Sequence, residues 1–368
     1  MHKIALSYAL ASAPRAGAAI GNPLMDLLHA VQVHGSISGA AKALGLSYRH
    51  VWGELKRWEQ ELGQALIVWE KGQPACLTEF SDKLLWAERQ AQARLAPQIE
   101  ALHADLERVF AVAFDEEAHV LTLYASHDDA LVTLREQAAQ ARLHLDIRFT
   151  GSVDAIGALN EGRCVLAGFH TPPSPAAGTL AQRTYQPLLQ PGRHKIIGFA
   201  RRRQGLVVAA GNPLGLAGLQ DLARPGVRFV GRERGTGTRL LTEQLLADAG
   251  LSAPALNAWD GSESSHAAVA QAVASGAADA GIAIEVAARA RGLDFVPLVE
   301  EDYFLVCLKS ALDQPAMRAL RGLLQTPAWQ ARLARLPGYA PWRSGEVLSL
   351  SQQLPWWRFG RAKVAKPG

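Results

Sequence analysis

The periodicity of the chain changes near residue 119, and that change constrains the fold more than any other feature. From residue 22 to about 110, apolar residues recur at helical spacing, as in Leu24, Leu27, Leu28 and Val31. Beyond 119 short apolar runs alternate with helical segments. Val120–Tyr124, Leu145–Phe149 and Val165–Phe169 read as strands, and residues 128–141 and 153–160 as helices. The alternation continues to about residue 336 and predicts an α/β part with largely parallel sheets. A chain of 368 residues has room for two or three domains of ~100–200 residues. The tail from Pro337 shows no clear periodicity.

Composition narrows the class. Hydrophobic residues at 49% and charged residues at 20% fit a folded chain and not a disordered one. No apolar run reaches the ~20 residues of a spanning helix, so no membrane partner is expected. Cys76, Cys164 and Cys307 are far apart, which excludes a disulfide framework and a zinc finger. At the N-terminus, Ile4, Leu6, Tyr8 and Leu10 alternate as in a strand rather than forming the uniform apolar core of a secretion signal. A cytoplasmic protein is expected. The net charge of +4 permits a nucleic-acid partner without requiring one.

The segment Gly35–Leu55 carries the most specific local pattern. Asn22-Pro23 opens a first helix, His34-Gly35 ends it, Ser36–Leu44 forms a second, and Ser47 caps a third. Ala40 and Ala41 are small enough for close helix approach, and Gly45 suits the corner between helices. The third helix exposes Tyr48, Arg49, His50, Glu54 and Arg57 toward base edges or phosphates. Ser36, Ser47 and Lys71 complete the candidate DNA-contacting set, with Lys71 on a hairpin at residues 66–77. Trp52 and Trp58 are read as core. Residues 1–115 hold 11 Lys and Arg against 12 Asp and Glu, so positive charge is local to residues 36–58. From Phe80 to about Phe110 a long helix follows, with Pro97 as a kink or a division. Its Leu84, Leu85, Leu95, Ile99, Leu102 and Leu106 form an interrupted apolar stripe suited to pairing with a second copy.

The stretch GSISGAAKALGLSYRHVW, with LTEFSDKLL at Leu77–Leu85, resembles the winged helix-turn-helix of molybdate-responsive regulators and, a little less closely, of LysR-type regulators. The resemblance implies a DNA-binding domain over residues 1–80 and a dimerisation helix over 81–115. A homodimer or higher homo-oligomer on a double-stranded operator follows from it.

In the second part, Phe229–Leu241 places a strand, a polar turn and a helix from about Thr238 in succession. Free N–H groups at that helix start, with Arg234, Gly235, Thr236, Gly237, Thr238 and Arg239, can cradle an anion; the same turn can also serve only as a cap. Ser126, Ser152 and His170 follow three strands, where α/β sheets place ligands. The two serines can cap the next helices as well as bind. His266 and Asp279 are read as structural. Stretches such as GSVDAIGALNEG, GRERGTGTR and HAAVAQAVASGAADAGI resemble the periplasmic-binding-protein-like domain found with molybdopterin-biosynthesis proteins and cytoplasmic regulators. That resemblance covers residues 119–340. It implies a bilobal type II architecture, assigned to 119–345, with crossings near Gly205–Ala209 and Tyr303–Leu308. RGTGT is also similar to the oxyanion loop of tungstate-binding proteins.

Together the two resemblances imply a one-component transcriptional regulator that senses a small anion, molybdate or tungstate, and has no covalent cofactor. A small organic carboxylate or a pterin-type cofactor is the alternative effector. An enzyme of molybdopterin metabolism is the rival class, but the sequence has no GxSxG elbow, P-loop or HExxH.

Overall fold

The computed structural model describes residues 21–68, 74–114, 118–252, 256 and 262–357, so the expected strand at Ile4–Leu10 lies outside the described residues. The chain forms two compact units, Met1–Ala96 and Pro97–Gly368. No helix among the described residues is long and apolar enough to cross a membrane.

The first unit is built from α1 (Pro23–His34), α2 (Ile37–Leu44) and α3 (Tyr48–Leu62), followed by β1 (Ile67–Val68), β2 (Cys76–Leu77) and the start of α4 (Glu79–Phe114). Each of the first three helices starts on a side-chain cap. The Asn22 side chain accepts from Leu24 N, Ser36 from Gly39 N and Ser47 from His50 N. Such caps contribute ~1 kcal/mol each. Gly45 adopts a left-handed φ of 67° and closes α2, which frees the chain to turn into α3. Leu28, Val31, Ala40, Val51 and Leu55 are fully buried at the centre, with Trp52 and Trp58 packed half-buried against them. β1 and β2 pair antiparallel, Ile67 opposite Leu77. Their base is tied down by Ser81 Oγ donating to the Leu66 carbonyl at 2.7 Å and by Leu66 N donating to Glu59 at 2.9 Å.

The helix α4 runs through Pro97 without a break. The division between the two compact units nevertheless falls there, so the helix belongs partly to each.

The second unit continues with β3 (His119–Ala125), α5 (Asp129–Gln140), β4 (Leu143–Phe149), α6 (Ser152–Asn160), β5 (Leu166–Thr171), α7 (Leu180–Tyr185) and the long β6 (His194–Val208). Then come β7 (Phe229–Arg232), α8 (Gly237–Asp248), β8 (Ser262–Glu263), α9 (His266–Ala274), β9 (Ala280–Ile284), α10 (Glu285–Arg289) and the long β10 (Asp294–Leu308). α11 (Pro315–Gln325), α12 (Pro327–Ala334), β11 (Tyr339–Pro341), β12 (Val347–Leu348) and α13 (Leu350–Gln353) complete it. The strand order is β4-β3-β5-β10-β6-β9-β7-β8, with β11 and β12 also on β6. β3, β4 and β5 run parallel in one lobe, and β7, β8 and β9 run parallel in the other.

β6 and β10 pair antiparallel along their whole length and join the lobes. The β5 partner of β10 covers Asp302–Cys307, and the β9 partner of β6 covers Gln204–Val208. The crossing therefore lies at Arg201–Gln204 and Val299–Asp302. The expected crossing segments are the right strands but sit within single lobes, because the partner change falls on the charged runs Arg201–Arg203 and Glu300–Asp302, which local sequence does not distinguish from solvated segments. The tail also departs from expectation. β11 and β12 add to the sheet, and Trp356 is buried with Nε1 donating to the Pro175 carbonyl at 3.2 Å, so the domain extends beyond residue 345.

Candidate functional site

The recognition face of the first unit is the start of α3. Tyr48, Arg49 and His50 are exposed there, and Lys42 is exposed on the preceding helix. Further along, Arg57 binds Glu54 at 2.6 Å and Glu61 at 2.6 Å, which ties up its guanidinium within the helix. The hydrogen bond from Arg57 holds the Glu54 carboxyl below its ordinary pKa. Ser36 and Ser47 use their hydroxyl oxygens as helix caps. Lys71 lies outside the described residues.

The second unit gathers polar groups where strands end and helices begin, between its two lobes. β3 leads to Ser126, β5 carries His170 and β7 ends on Arg232, while α6, α8 and α9 contribute their N-termini. α6 starts at Gly151 with no side-chain cap, so its first N–H groups lack a side-chain acceptor. Ser126 Oγ and Ser152 Oγ are 3.4 Å apart. A Cβ built on Gly237 would stand 3.3 Å from His170 Nδ1, 3.3 Å from Ser152 Oγ and 3.4 Å from the Tyr185 hydroxyl. Three polar atoms from three segments therefore converge on the first turn of α8, where a side chain at Gly237 would crowd all three.

Several of these groups are buried without a hydrogen-bond partner among the described residues. They are both ring nitrogens of His170, Nδ1 of His266, the Tyr303 hydroxyl, and Nε and Nη1 of Arg232. Arg232 is 2% exposed. Burial, with Arg202 adding repulsion, pushes its pKa well below the usual guanidinium range. Burial and the two arginines also lower His170 and His266 well below 6.5, so both rings are neutral at pH 7. The His170 ring lies against Tyr303 with centroids 3.9 Å apart.

Arg202 contrasts with Arg232. In the β6–β10 register it stands opposite Glu301, to which it donates through Nε at 3.1 Å and Nη2 at 3.0 Å. Its Nη1 binds Asp128. Gln204 Nε2 donates to Glu301 at 2.5 Å and to Thr238 Oγ1 at 3.0 Å, and the Tyr339 hydroxyl donates to Asp128 at 2.8 Å. Burial alone works against the Arg202 charge, but Glu301 and Asp128 outweigh it and raise its pKa. All three guanidinium nitrogens of Arg202 are thus bonded, whereas Nε and Nη1 of Arg232 have no partner among the described residues.

Of the sequence candidates, Ser126, Ser152, His170, Gly237 and Thr238 come together at the cleft. α8 begins at Gly237, one residue earlier than expected, and Thr236 is its N-cap, accepting from Arg239 N at 3.3 Å. Arg239 Nε binds Glu243 at 2.5 Å, and Arg234 is exposed. Arg232, with Nε and Nη1 unpartnered among the described residues, is a cleft arginine that sequence reasoning passed over. Its only signal was its place at the carboxyl end of a strand. Asp279 is structural as read, accepting from Arg228 N, Nε and Nη2. Among the described residues no group of three or more His, Cys, Asp or Glu can hold a metal ion.

Comparison with known proteins places families on both units. The profile of the PBP superfamily domain matches residues 134–325. The profile of bacterial regulatory helix-turn-helix proteins of the lysR family matches residues 24–81. The uncharacterized protein YvgK of Bacillus subtilis (strain 168) is 29% identical over 201 residues, which is 55% of this chain and 64% of YvgK. The chain thus spans less than two thirds of that relative. An uncharacterized protein encoded in the 5' region of a ferredoxin gene of Clostridium pasteurianum is 33% identical over 86 residues, covering 23% of this chain and 76% of that protein. Among solved structures, full-length LysG of Corynebacterium glutamicum with bound effector arginine aligns at 17% identity over 82% of this chain and 96% of its own, with a TM-score of 0.39. ArgP of Mycobacterium tuberculosis aligns at 18% identity over 82% and 95%, with a TM-score of 0.35.

Proposed function

Because this chain belongs to the PBP superfamily and carries a lysR-family helix-turn-helix ahead of that domain, we propose that it is a one-component, ligand-responsive transcriptional regulator whose effector is a compact anion held between the lobes. The observation that carries the effector reading is Arg232, a buried guanidinium with two N–H-bearing nitrogens unpartnered among the described residues. An uncompensated buried charge costs several kcal/mol. A bound anion offsets that cost and gives the cleft a reason to close. Hydroxyls of Ser126, Ser152 and Tyr185, the uncapped start of α6 and the start of α8 supply the remaining donors.

Molybdate or tungstate is the finer reading. It is supported by the convergence of Ser152, His170 and Tyr185 on the start of α8 and by the sequence resemblance to oxyanion-binding loops. The His170–Tyr303 ring pair favours a second reading, a small planar carboxylate lying against that wall. In both readings the protein senses its ligand and does not transform it. No covalent cofactor is assigned, and it acts on operator DNA in the cytoplasm. Tyr48, Arg49 and His50 are proposed to enter the groove, with Lys71 on the phosphates. Leu95, Leu102 and Val109, exposed at seven-residue intervals on α4, support pairing with a second copy of the chain. Sedimentation is expected to show a dimer or larger oligomer at micromolar concentration, and a monomer that binds DNA would count against the pairing.

The test of the whole reading is anion-dependent DNA binding. A duplex enriched from a random pool by the full chain is titrated with protein, with and without molybdate, tungstate, sulfate, phosphate and small carboxylates. At least one anion should change the affinity by about 5-fold or more. Affinity that is the same with every member of the panel would overturn the effector reading.

A further inference from the structure

The loop leaving β3 places three consecutive side chains in three different environments. Ser126 faces Ser152 in the cleft. His127, only 7% exposed, packs its ring against Phe149 with centroids 4.8 Å apart and sets Nε2 3.1 Å from Glu100 Oε2 on α4. Asp128, fully buried, caps α5 through Ala130 N at 2.8 Å and holds both Arg202 and the Tyr339 hydroxyl. The same stretch of α4 is held a second time, by Arg135 Nη1 donating to the Glu100 carbonyl at 3.0 Å.

These contacts leave the loop little slack. Consecutive Cα atoms are ~3.8 Å apart, so a displacement of Ser126 is passed to His127 unless the backbone between them absorbs it. Asp128 cannot absorb it, because its carboxylate is fixed by α5, β6 and β11 together. We propose that Ser126-His127-Asp128 is the coupling element of the protein: an anion that engages Ser126 moves His127 about the fixed Asp128 and thereby shifts Glu100 and the part of α4 that carries it. His127 and Glu100 are positioning residues in this scheme and need not touch the ligand. The inference rests on the cleft being the anion site. It adds the route by which occupancy biases a second element, which is what coupling between sites requires.

The test uses the full chain and inorganic molybdate and tungstate as probes. Calorimetry gives anion affinity, and hydrogen exchange of peptides spanning residues 97–110 gives the response of α4. In the wild type, saturating anion should change exchange in that segment by about 5-fold or more. Glu100→Ala and His127→Ala should keep anion affinity within about threefold, under ~1 kcal/mol, yet lose the exchange response. His127→Gln, which retains an amide donor toward Glu100, should restore it. If Glu100→Ala does not fold, the His127→Ala and His127→Gln pair decides the matter. An exchange response retained in His127→Ala, or absent from anion-bound wild type, overturns the inference alone. Loss of anion affinity in step with the response also overturns it, since the residues would then belong to the binding site. If neither anion binds the wild type, the oxyanion reading of the cleft falls and the inference falls with it.

Discussion

Gly151 and Gly235 meet across the cleft with no side chain between them. A Cβ on Gly151 would stand 2.6 Å from the Gly235 carbonyl oxygen and 2.9 Å from its carbonyl carbon. Each glycine directly precedes the start of a cleft-lining helix, Gly151 before α6 and Gly235 before the Thr236 cap of α8. The close approach therefore exists only when the two lobes are together.

Gly151→Ala separates closure from folding. Gly151 has φ −63° and ψ 151°, which alanine adopts without strain, so the substitution should not lower stability through the backbone. The added methyl can be accommodated only by holding the lobes apart. Anion affinity should fall by about tenfold or more, equivalent to ~1.4 kcal/mol, with the unfolding midpoint little changed. Calorimetry alongside thermal unfolding checks both halves.

The two buried arginines should respond oppositely to neutral replacement. Arg202→Met leaves Glu301 and Asp128 buried without their cation, so a loss of ~3–5 kcal/mol is expected. Arg232→Met removes a buried charge whose Nε and Nη1 have no partner among the described residues, and should leave the anion-free protein as stable as wild type or up to ~1–4 kcal/mol more stable. Denaturant titration of both variants reads this directly. Equal destabilisation would mean that Arg232 is paired in solution.

Stability of the anion-free protein should fall on acidification below the histidine range. His170 and His266 have folded-state pKa values well below 6.5 because burial and neighbouring arginines disfavour the imidazolium. The unfolded chain binds these protons first, so their contribution is fully present above about pH 6.5 and is lost as pH falls toward the folded values. Once both unfolded-state rings are protonated, the slope approaches ~2.7 kcal/mol per pH unit for the pair. The double substitution His170→Gln and His266→Gln should flatten unfolding free energy against pH between 6.5 and 5, and an undiminished slope would contradict the assignment.

At the DNA face, Arg49 and Arg57 should differ. Arg49 is exposed at the first turn of α3, whereas Arg57 is engaged by Glu54 and Glu61. Arg49→Ala should cost ~1–3 kcal/mol of specific binding if it reads a base. Arg57→Ala should cost less, because the arginine must first leave two carboxylates. Gel-shift titrations over a range of salt concentrations distinguish base contact from simple charge loss.

What the sequence disclosed follows from how local each signal is. Asn22, Ser36 and Ser47 act on N–H groups two or three residues away, so the caps and the helix-turn-helix could be read directly. Strand and helix alternation likewise exposed the α/β part, and the Gly-rich turn marked the start of α8. Arg202 and Arg232 were missed for the opposite reason. Arg201-Arg202-Arg203 looks like a solvated charge run, and its meaning comes from a partner strand about 100 residues away that sets Glu301 opposite Arg202. Arg232 looks like an ordinary polar strand end, while the neighbouring Arg234 seemed better placed because glycines surround it. In the tail, β11 and β12 are three and two residues long, too short to show a period, although they complete the sheet beside β6.

The central claim is that a compact anion binds between the lobes against Arg232, and calorimetric titration of the purified full chain tests it most directly. Molybdate, tungstate, sulfate, phosphate and small carboxylates are titrated into the wild type, Arg232→Met and Arg234→Ala. The account predicts saturable binding of at least one anion to the wild type. Loss of two charge-assisted hydrogen bonds at ~1.5–3 kcal/mol each should weaken it about 100-fold or more in Arg232→Met. Arg234→Ala, at an exposed position, should stay within about threefold of wild type. Undiminished binding to Arg232→Met, or no heat with any anion in the panel, would contradict the account.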